Sequence, residues 1–201
     1  LYHLHNPSLD DLRRDDIHEA MDRLQEVGKI RYWGVSVRTP EEGIEIVNRG
    51  WGYALQVLYN AINQAPAKDL FPLAKEKGYG IVARVPLASG LLSGKFRVDT
   101  TFPADDVRQN FLTPKRLEEV IPRVDEVKSI IGGTARALAE GALRFVLAND
   151  AVSTAIPGMR NVRQVEMNVA SDEVRIPQQV VDKLQTRLGE YNFYLRHGIR
   201  I

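Results

Sequence analysis

The residues able to do chemistry in this 201-residue chain sit in a few short stretches. His3 and His5 alternate along LYHLHNP, so in an extended chain both imidazoles point to the same side. An imidazole at a strand end can exchange a proton near neutral pH, and it can equally be a plain core or surface histidine. Ser36 and Gln56 fall in or at the end of apolar runs, where each is either a binding group or an ordinary strand-end polar residue. Arg84 closes another such run, and its planar guanidinium can stack on a ring or pair with a carboxylate. Positions 86–114 then hold a long stretch containing Gly, Pro and Asp; a loop of that length in a compact domain is usually functional or mobile, so it is the first place to look for a ligand. Further on, PGMR at 157–160 leads into a helix, whose N-terminus favours phosphate. Gly158 permits close backbone approach there, and Arg160 is either an anion ligand or a solvated charge. Gln164 and Asn168, one turn apart, share a face of that helix. His3, His5, His18 and His197 have no clustered carboxylates at ligand spacing, and cysteine is absent, so no metal site is expected.

Composition narrows the classes further. With 44% hydrophobic and 26% charged residues the chain has ordinary globular composition. Lys and Arg number 27 against 26 Asp and Glu, and a net charge of +1 gives no electrostatic case for nucleic acid or an anionic membrane. The apolar runs are far shorter than the roughly 18–20 residues of a spanning helix, and no basic-then-apolar leader opens the chain, so no membrane role is expected. The lack of cysteine fits a cytoplasmic protein.

Stepping along the chain, 1–5 reads as a strand and 16–27 as a helix, with Ile17, Ala20, Met21, Leu24 and Val27 at helical spacing and Gly28 as its C-cap. A strand over 30–36 precedes a helix from Thr39 or Pro40 to near Gly50. A strand at 54–58, a helix near 68–77 and a strand at 80–85 follow. Beyond the long loop come helices near 115–130 and 134–147, a strand around 152–155, a helix after Pro157 to about 170, and a terminal helix over 177–188. Five strands, each followed by helix, imply parallel pairing with helical crossovers, either open or closed into a barrel. A closed eight-stranded barrel takes about 250 residues. If this is one, roughly three strand-helix units are missing before Leu1, and exposed edges should make the chain poorly stable alone. An open five-stranded sheet would carry no such penalty.

Five motifs settle more than the periodicity does: LHNP at 4–7, GKIRYWGVS at 28–36, QVLYN at 56–60, VPLASGLLSGK at 85–95 and IPGMRNVRQVEMN at 156–168. In this order, and at strand-to-helix junctions, they cover nearly the whole chain, which on them resembles the aldo-keto reductases. The resemblance implies an α/β fold, the C-terminal part of a (β/α)8 TIM barrel with about five strand-helix units plus a C-terminal helix, in one incomplete domain over 1–201. It also implies NADPH or NADP bound in extended form without a Gly-rich Rossmann turn; consistently, no GxGxxG follows any strand.

By the same resemblance His5 is the imidazole that hydrogen-bonds a substrate carbonyl and supports charge on its oxygen. His3 is read as barrel interior. The family's Tyr, Lys and Asp partners precede the LHNP strand, so none is assigned here; Tyr59 is packing or pocket lining rather than a substitute. Ser36 corresponds to the group that holds the nicotinamide carboxamide, with Gln56 across the pocket. Arg84 stands where many members carry a stacking aromatic, and its charge is unfavourable beside an oxidised nicotinamide. Pro86, Leu87, Ser89 and Lys95 match the loop around the pyrophosphate, where backbone N–H groups and one ammonium supply positive charge, with Arg108 closing it. Gly158 and Arg160 match the 2′-phosphate site, the argument for NADPH over NADH, and Gln164 and Asn168 face the adenine. Met167 replaces a common Glu, so one contact is lost.

The function implied is an NADP(H)-dependent oxidoreductase of aldehydes, ketones or sugars, with small carbonyl or alcohol partners and this chain alone catalytically incomplete. Some family members are redox-sensing regulatory subunits; the substrate-facing His5 argues for the enzyme. A non-catalytic open-sheet domain is the third reading. Substrate identity and oligomeric state are not legible. The C-terminal segment YNFYLRHGIRI helps to shape the pocket, and its Phe193 and Tyr194 either pack the barrel exterior, the reading favoured here, or line the pocket.

Overall fold

The computed structural model describes residues 1–199. Five strands, β1 (Tyr2–Leu4), β2 (Trp33–Ser36), β3 (Ala54–Leu58), β4 (Gly80–Arg84) and β5 (Val152–Ile156), form one sheet. Each pairs in parallel with its neighbour in sequence, giving the order β1-β2-β3-β4-β5. The helices between and after them are α1 (Leu9–Leu12), α2 (Asp15–Glu26), α3 (Pro40–Arg49), α4 (Leu70–Glu76), α5 (Pro114–Ile131), α6 (Ala135–Leu147), α7 (Val162–Glu173), α8 (Gln178–Leu188) and α9 (Phe193–Arg196). All five expected strands form.

Residue alternation decides which side of the sheet the helices cover. Val35, Leu55 and Ile81 lie side by side in register and are wholly buried, in one core with Ile46 of α3, Leu70 and Phe71 of α4 and Phe145 of α6. The next register row is Ser36, Gln56 and Val82, on the opposite face. One row lower, Gly34 lies between His3 and Ala54, and a Cβ there would sit 2.3 Å from the Ala54 carbonyl oxygen and 2.9 Å from the His3 ring. Only a residue without a side chain lets β1 and β3 approach β2 so closely.

Two boundaries and one added helix depart from the sequence expectation for local reasons. The strand expected over 30–36 shortens to Trp33–Ser36, because the N–H groups of Lys29 and Ile30 turn back to Leu24 O behind the left-handed Gly28. The helix expected directly after Pro157 starts only at Val162, where Asn161 Oδ1 accepts from Gln164 N at 3.0 Å. Arg160 therefore lies just ahead of the cap rather than in the helix. The unexpected α1 is nucleated by a capping box between Ser8 and Asp11. Among the described residues no helix is long and apolar enough to cross a membrane.

Candidate functional site

At the carboxyl ends of β1 and β2, two of the motifs meet. Ser36, 1% exposed, donates its hydroxyl to Asn6 Oδ1 at 3.0 Å. Asn6 is left-handed (φ 47°), and the turn it makes is clamped by Arg38, which donates to Pro7 O at 2.8 Å and to Asn6 O. His5, on this turn, is exposed, with Nε2 3.4 Å from Asn6 Nδ2. His3 lies deeper, its Nε2 buried without a hydrogen bond, and burial holds its pKa below the usual histidine value. Gln56 is half-buried in register between Ser36 and Val82.

Arg84, at the end of β4, is buried and donates from Nη2 to Val37 O at 3.1 Å, tying β4 to the chain after β2. Burial lowers its pKa, with Tyr194 and Glu42 acting in the opposite sense, and a guanidinium stays charged regardless. The backbone then becomes unusual: Val85, Ala88 and Ser89 all have positive φ (56°, 49° and 55°). Such a conformation is uncommon for any side chain and an outlier for a β-branched one, and it costs about 1–3 kcal/mol where the surroundings enforce it. What enforces it here is hydrogen bonding. Asn60, wholly buried, donates from Nδ2 to Val85 O at 3.0 Å, and Tyr194 donates its hydroxyl to Ser89 Oγ at 2.9 Å. Tyr194 thus corrects the favoured expectation that it packs the barrel exterior. The left-handed Asn192 turns α9 back over the strand ends, where Tyr194 shares a cavity of about 20 Å³, room for roughly one water, with Val37, Arg38, Leu58 and Ile199. Of the C-terminal segment, Arg200 and Ile201 lie outside the described residues. Tyr59 is core packing, against Phe71 and Phe145, with burial pushing its phenol up to about 12.

The rest of the long loop is organised by Arg108. Its guanidinium lies over the rings of Phe96 and Phe102, 5.3 and 5.0 Å from their centroids, and its Nε is 2.9 Å from Asp106 Oδ1. A long contact of 3.5 Å reaches Ser89 O. Arg108 therefore ties the loop together from within. Side-chain and then backbone hydrogen bonds from Arg108 hold the Asp106 carboxyl at about 2, and the charge of Arg160 acts in the same sense. A depressed folded-state pKa contributes stability that is complete above the ordinary carboxylate value near 4 and lost as pH falls toward the folded value of about 2. Protection of the Phe96–Leu112 amides, taken as hydrogen exchange relative to the intrinsic rate at each pH, should accordingly fall below about pH 4 and be constant between pH 5 and 8.

The α7 residues are more dispersed. Gly158 and Arg160 are exposed, and the Arg160 N–H donates to Gln164 Oε1 at 2.6 Å, so part of the Gln164 amide is already used. Asn168 is half-buried, with both amide atoms buried and unpaired. An orphaned amide costs about 1–3 kcal/mol, which a ligand group hydrogen-bonding there would recover. Pro86 is buried, Leu87 is half-buried, and Lys95 projects into solvent. No contact links Lys95 or Asn168 to the strand-end residues among the described hydrogen bonds.

A family model described as "Aldo/keto reductase family" matches residues 1–187. The chain belongs to that family. Its relatives include the "Uncharacterized oxidoreductase YqkF" of Bacillus subtilis (strain 168), 27% identical over 98% of this chain and 62% of that protein. Another relative, from Schizosaccharomyces pombe, is named as a voltage-gated potassium channel subunit beta and is 30% identical over 79% of this chain and 50% of its own. Among solved structures, the aldo-keto reductase AKR11C1 from Bacillus halodurans, in its holo form, superposes with a TM-score of 0.69 at 29% identity, covering 92% of this chain and 59% of that one. This aldo/keto reductase chain thus spans about 60% of the length of those two relatives, and its parallel sheet with covering helices matches part of their barrel.

Several residues that build the site of this aldo/keto reductase chain carried no assignment from the sequence. Asn6 and Asn60 lie inside the LHNP and QVLYN motifs, so the motifs pointed at them without saying what they bind. Arg38, two residues past Ser36, and Asp106, two before Arg108, had neighbours that drew notice. Tyr194 was marked as exterior packing or pocket lining, but nothing local signalled its pairing with Ser89, which lies 105 positions away.

Proposed function

We propose that this chain holds the nucleotide of an NADP(H)-dependent oxidoreductase that interconverts small aldehydes or ketones and alcohols. The observation that supports the reading most directly is that, at the carboxyl end of a parallel sheet, the end of β2 is hydrogen-bonded to the turn after β1 and to the end of β4, while Asn60 after β3 and Tyr194 of α9 hold the loop after β4. That end is where strand-to-helix loops build ligand sites. The residues also fit the group. Arg160 is an exposed guanidinium suited to the 2′-phosphate, and the unpaired Asn168 amide matches the donors and acceptors of an adenine edge.

When bound, the nicotinamide supplies the hydride. His5 hydrogen-bonds the substrate carbonyl oxygen and stabilises the negative charge that develops there. Ser36 and Gln56 would hold the carboxamide. Pro86, Leu87, Ser89 and Lys95 would hold the pyrophosphate, Gly158 would let the backbone approach, and Gln164 would share the adenine side with Asn168. Arg84 would stand beside the nicotinamide in place of a stacking aromatic, and its charge would disfavour the positive, oxidised ring. The domain reading, one incomplete barrel over 1–201, and the cytoplasmic placement belong to the same proposal.

The channel-subunit name of the S. pombe relative favours a second reading, a nucleotide-sensing subunit of the same fold. Retention of His5 on an exposed turn favours the enzyme. Titration of the purified chain with NADPH and NADH, following cofactor fluorescence and melting temperature, tests the shared core of both. NADPH should bind more tightly and raise the melting temperature. A cooperative melt with neither nucleotide bound would remove the cofactor assignment, and equal affinities would remove the 2′-phosphate site.

A further inference from the structure

We infer that Tyr194 is a positioning residue for the loop after β4, setting from the far end of the chain the backbone shape that receives the pyrophosphate; this deepens the nucleotide reading and rests on it. Three observations carry the inference. The loop is strained, with positive φ at Val85, Ala88 and Ser89, so its shape must be imposed from outside. Asn60 fixes its start, at Val85 O, and within the loop the Ser89 hydroxyl accepts from Tyr194 at 2.9 Å. Tyr194 is 1% exposed, and burial pushes its phenol well above the usual tyrosine value, so it remains a donor at any physiological pH.

The anchor itself is rigid. Asn192 Oδ1 accepts from both Gln64 N and Ala65 N at 2.8 Å, Phe193 N donates to Ile62 O at 3.0 Å, and Tyr194 N donates to Asn63 Oδ1 at 3.2 Å. On the other side of α9, Glu119 of α5 meets Tyr191, Arg196 and His197. The β3–α4 connection and α5 thus hold α9 between them, and the phenol transmits that fixed position to Ser89. A loop with its N–H groups already aimed loses less freedom on binding an anion, which appears as affinity.

The test is a double-mutant cycle on the whole chain with Tyr194→Phe and Ser89→Ala. Neither change alters bulk or backbone preference much, and the melting temperature of each variant reports that it folds. Each single variant should weaken NADPH about three- to tenfold, the worth of one hydrogen bond, and the double variant should be no weaker than either single. Without any nucleotide, hydrogen exchange of amides 87–94 should accelerate in both variants while α5 and β3 are unchanged. Unaltered loop exchange would overturn the inference, as would additive losses in the double variant or faster exchange with undiminished NADPH affinity. Failure of the nucleotide reading shows separately, in the unmutated chain binding no NADPH.

Discussion

Gly34→Ala should lower the melting temperature more than any single change at the site. The added Cβ would lie 2.3 Å from Ala54 O and 2.9 Å from two atoms of the His3 ring. The ring could turn aside, but the carbonyl belongs to β3 and moves only if the β2–β3 pairing moves with it. Overpacking a tight site costs about 1–3 kcal/mol when side chains can yield, so roughly 3 kcal/mol or more is expected where backbone must. For a chain of this size that is a drop of about 6–12 °C. A thermal melt reads it directly, and an unchanged midpoint would show that β2 and β3 are not held at the spacing described.

Arg160→Ala should weaken NADPH by about ten- to a hundredfold and leave NADH close to its original affinity. The range is the worth of a charge-assisted hydrogen bond to phosphate, about 1.5–3 kcal/mol, converted to a ratio of dissociation constants. The discrimination carries more than the loss. Arg160 also helps to hold the Asp106 carboxyl down, so its removal relaxes the loop slightly, and that would touch both nucleotides alike. Only a contact to the 2′-phosphate separates them. Equal losses measured by fluorescence titration would assign Arg160 to the loop and leave the choice of nucleotide to other residues.

The parallel five-stranded sheet was legible because alternation and helical period are local: Val35, Leu55 and Ile81 announce a buried face without reference to one another. The meeting of LHNP with Ser36 was legible in the weaker sense that both motifs were marked, although the bond from Ser36 to Asn6 spans 30 positions. The backbone of Val85–Ser89 was not. A valine and an alanine give no hint of positive φ, since that conformation is imposed by Asn60 and Tyr194. The late start of α7 was missed for a smaller reason: Pro157 and Gly158 look like a helix entry, yet the Asn161 side chain captures the Gln164 N–H and fixes the cap there.

The order of the sheet has a consequence for assembly on the ribosome. Every strand lies against the one made just before it, so the sheet can grow in order, one strand-helix unit at a time, while the chain is still being synthesised. The bonds that fix the candidate site do not share that property. Asn192 reaches Gln64 across 128 positions, and Tyr194 reaches Ser89 across 105. The strands can therefore be in place while the loop after β4 still lacks its anchor, and the receiving surface is completed only when a segment made after all five strands folds back over work already done.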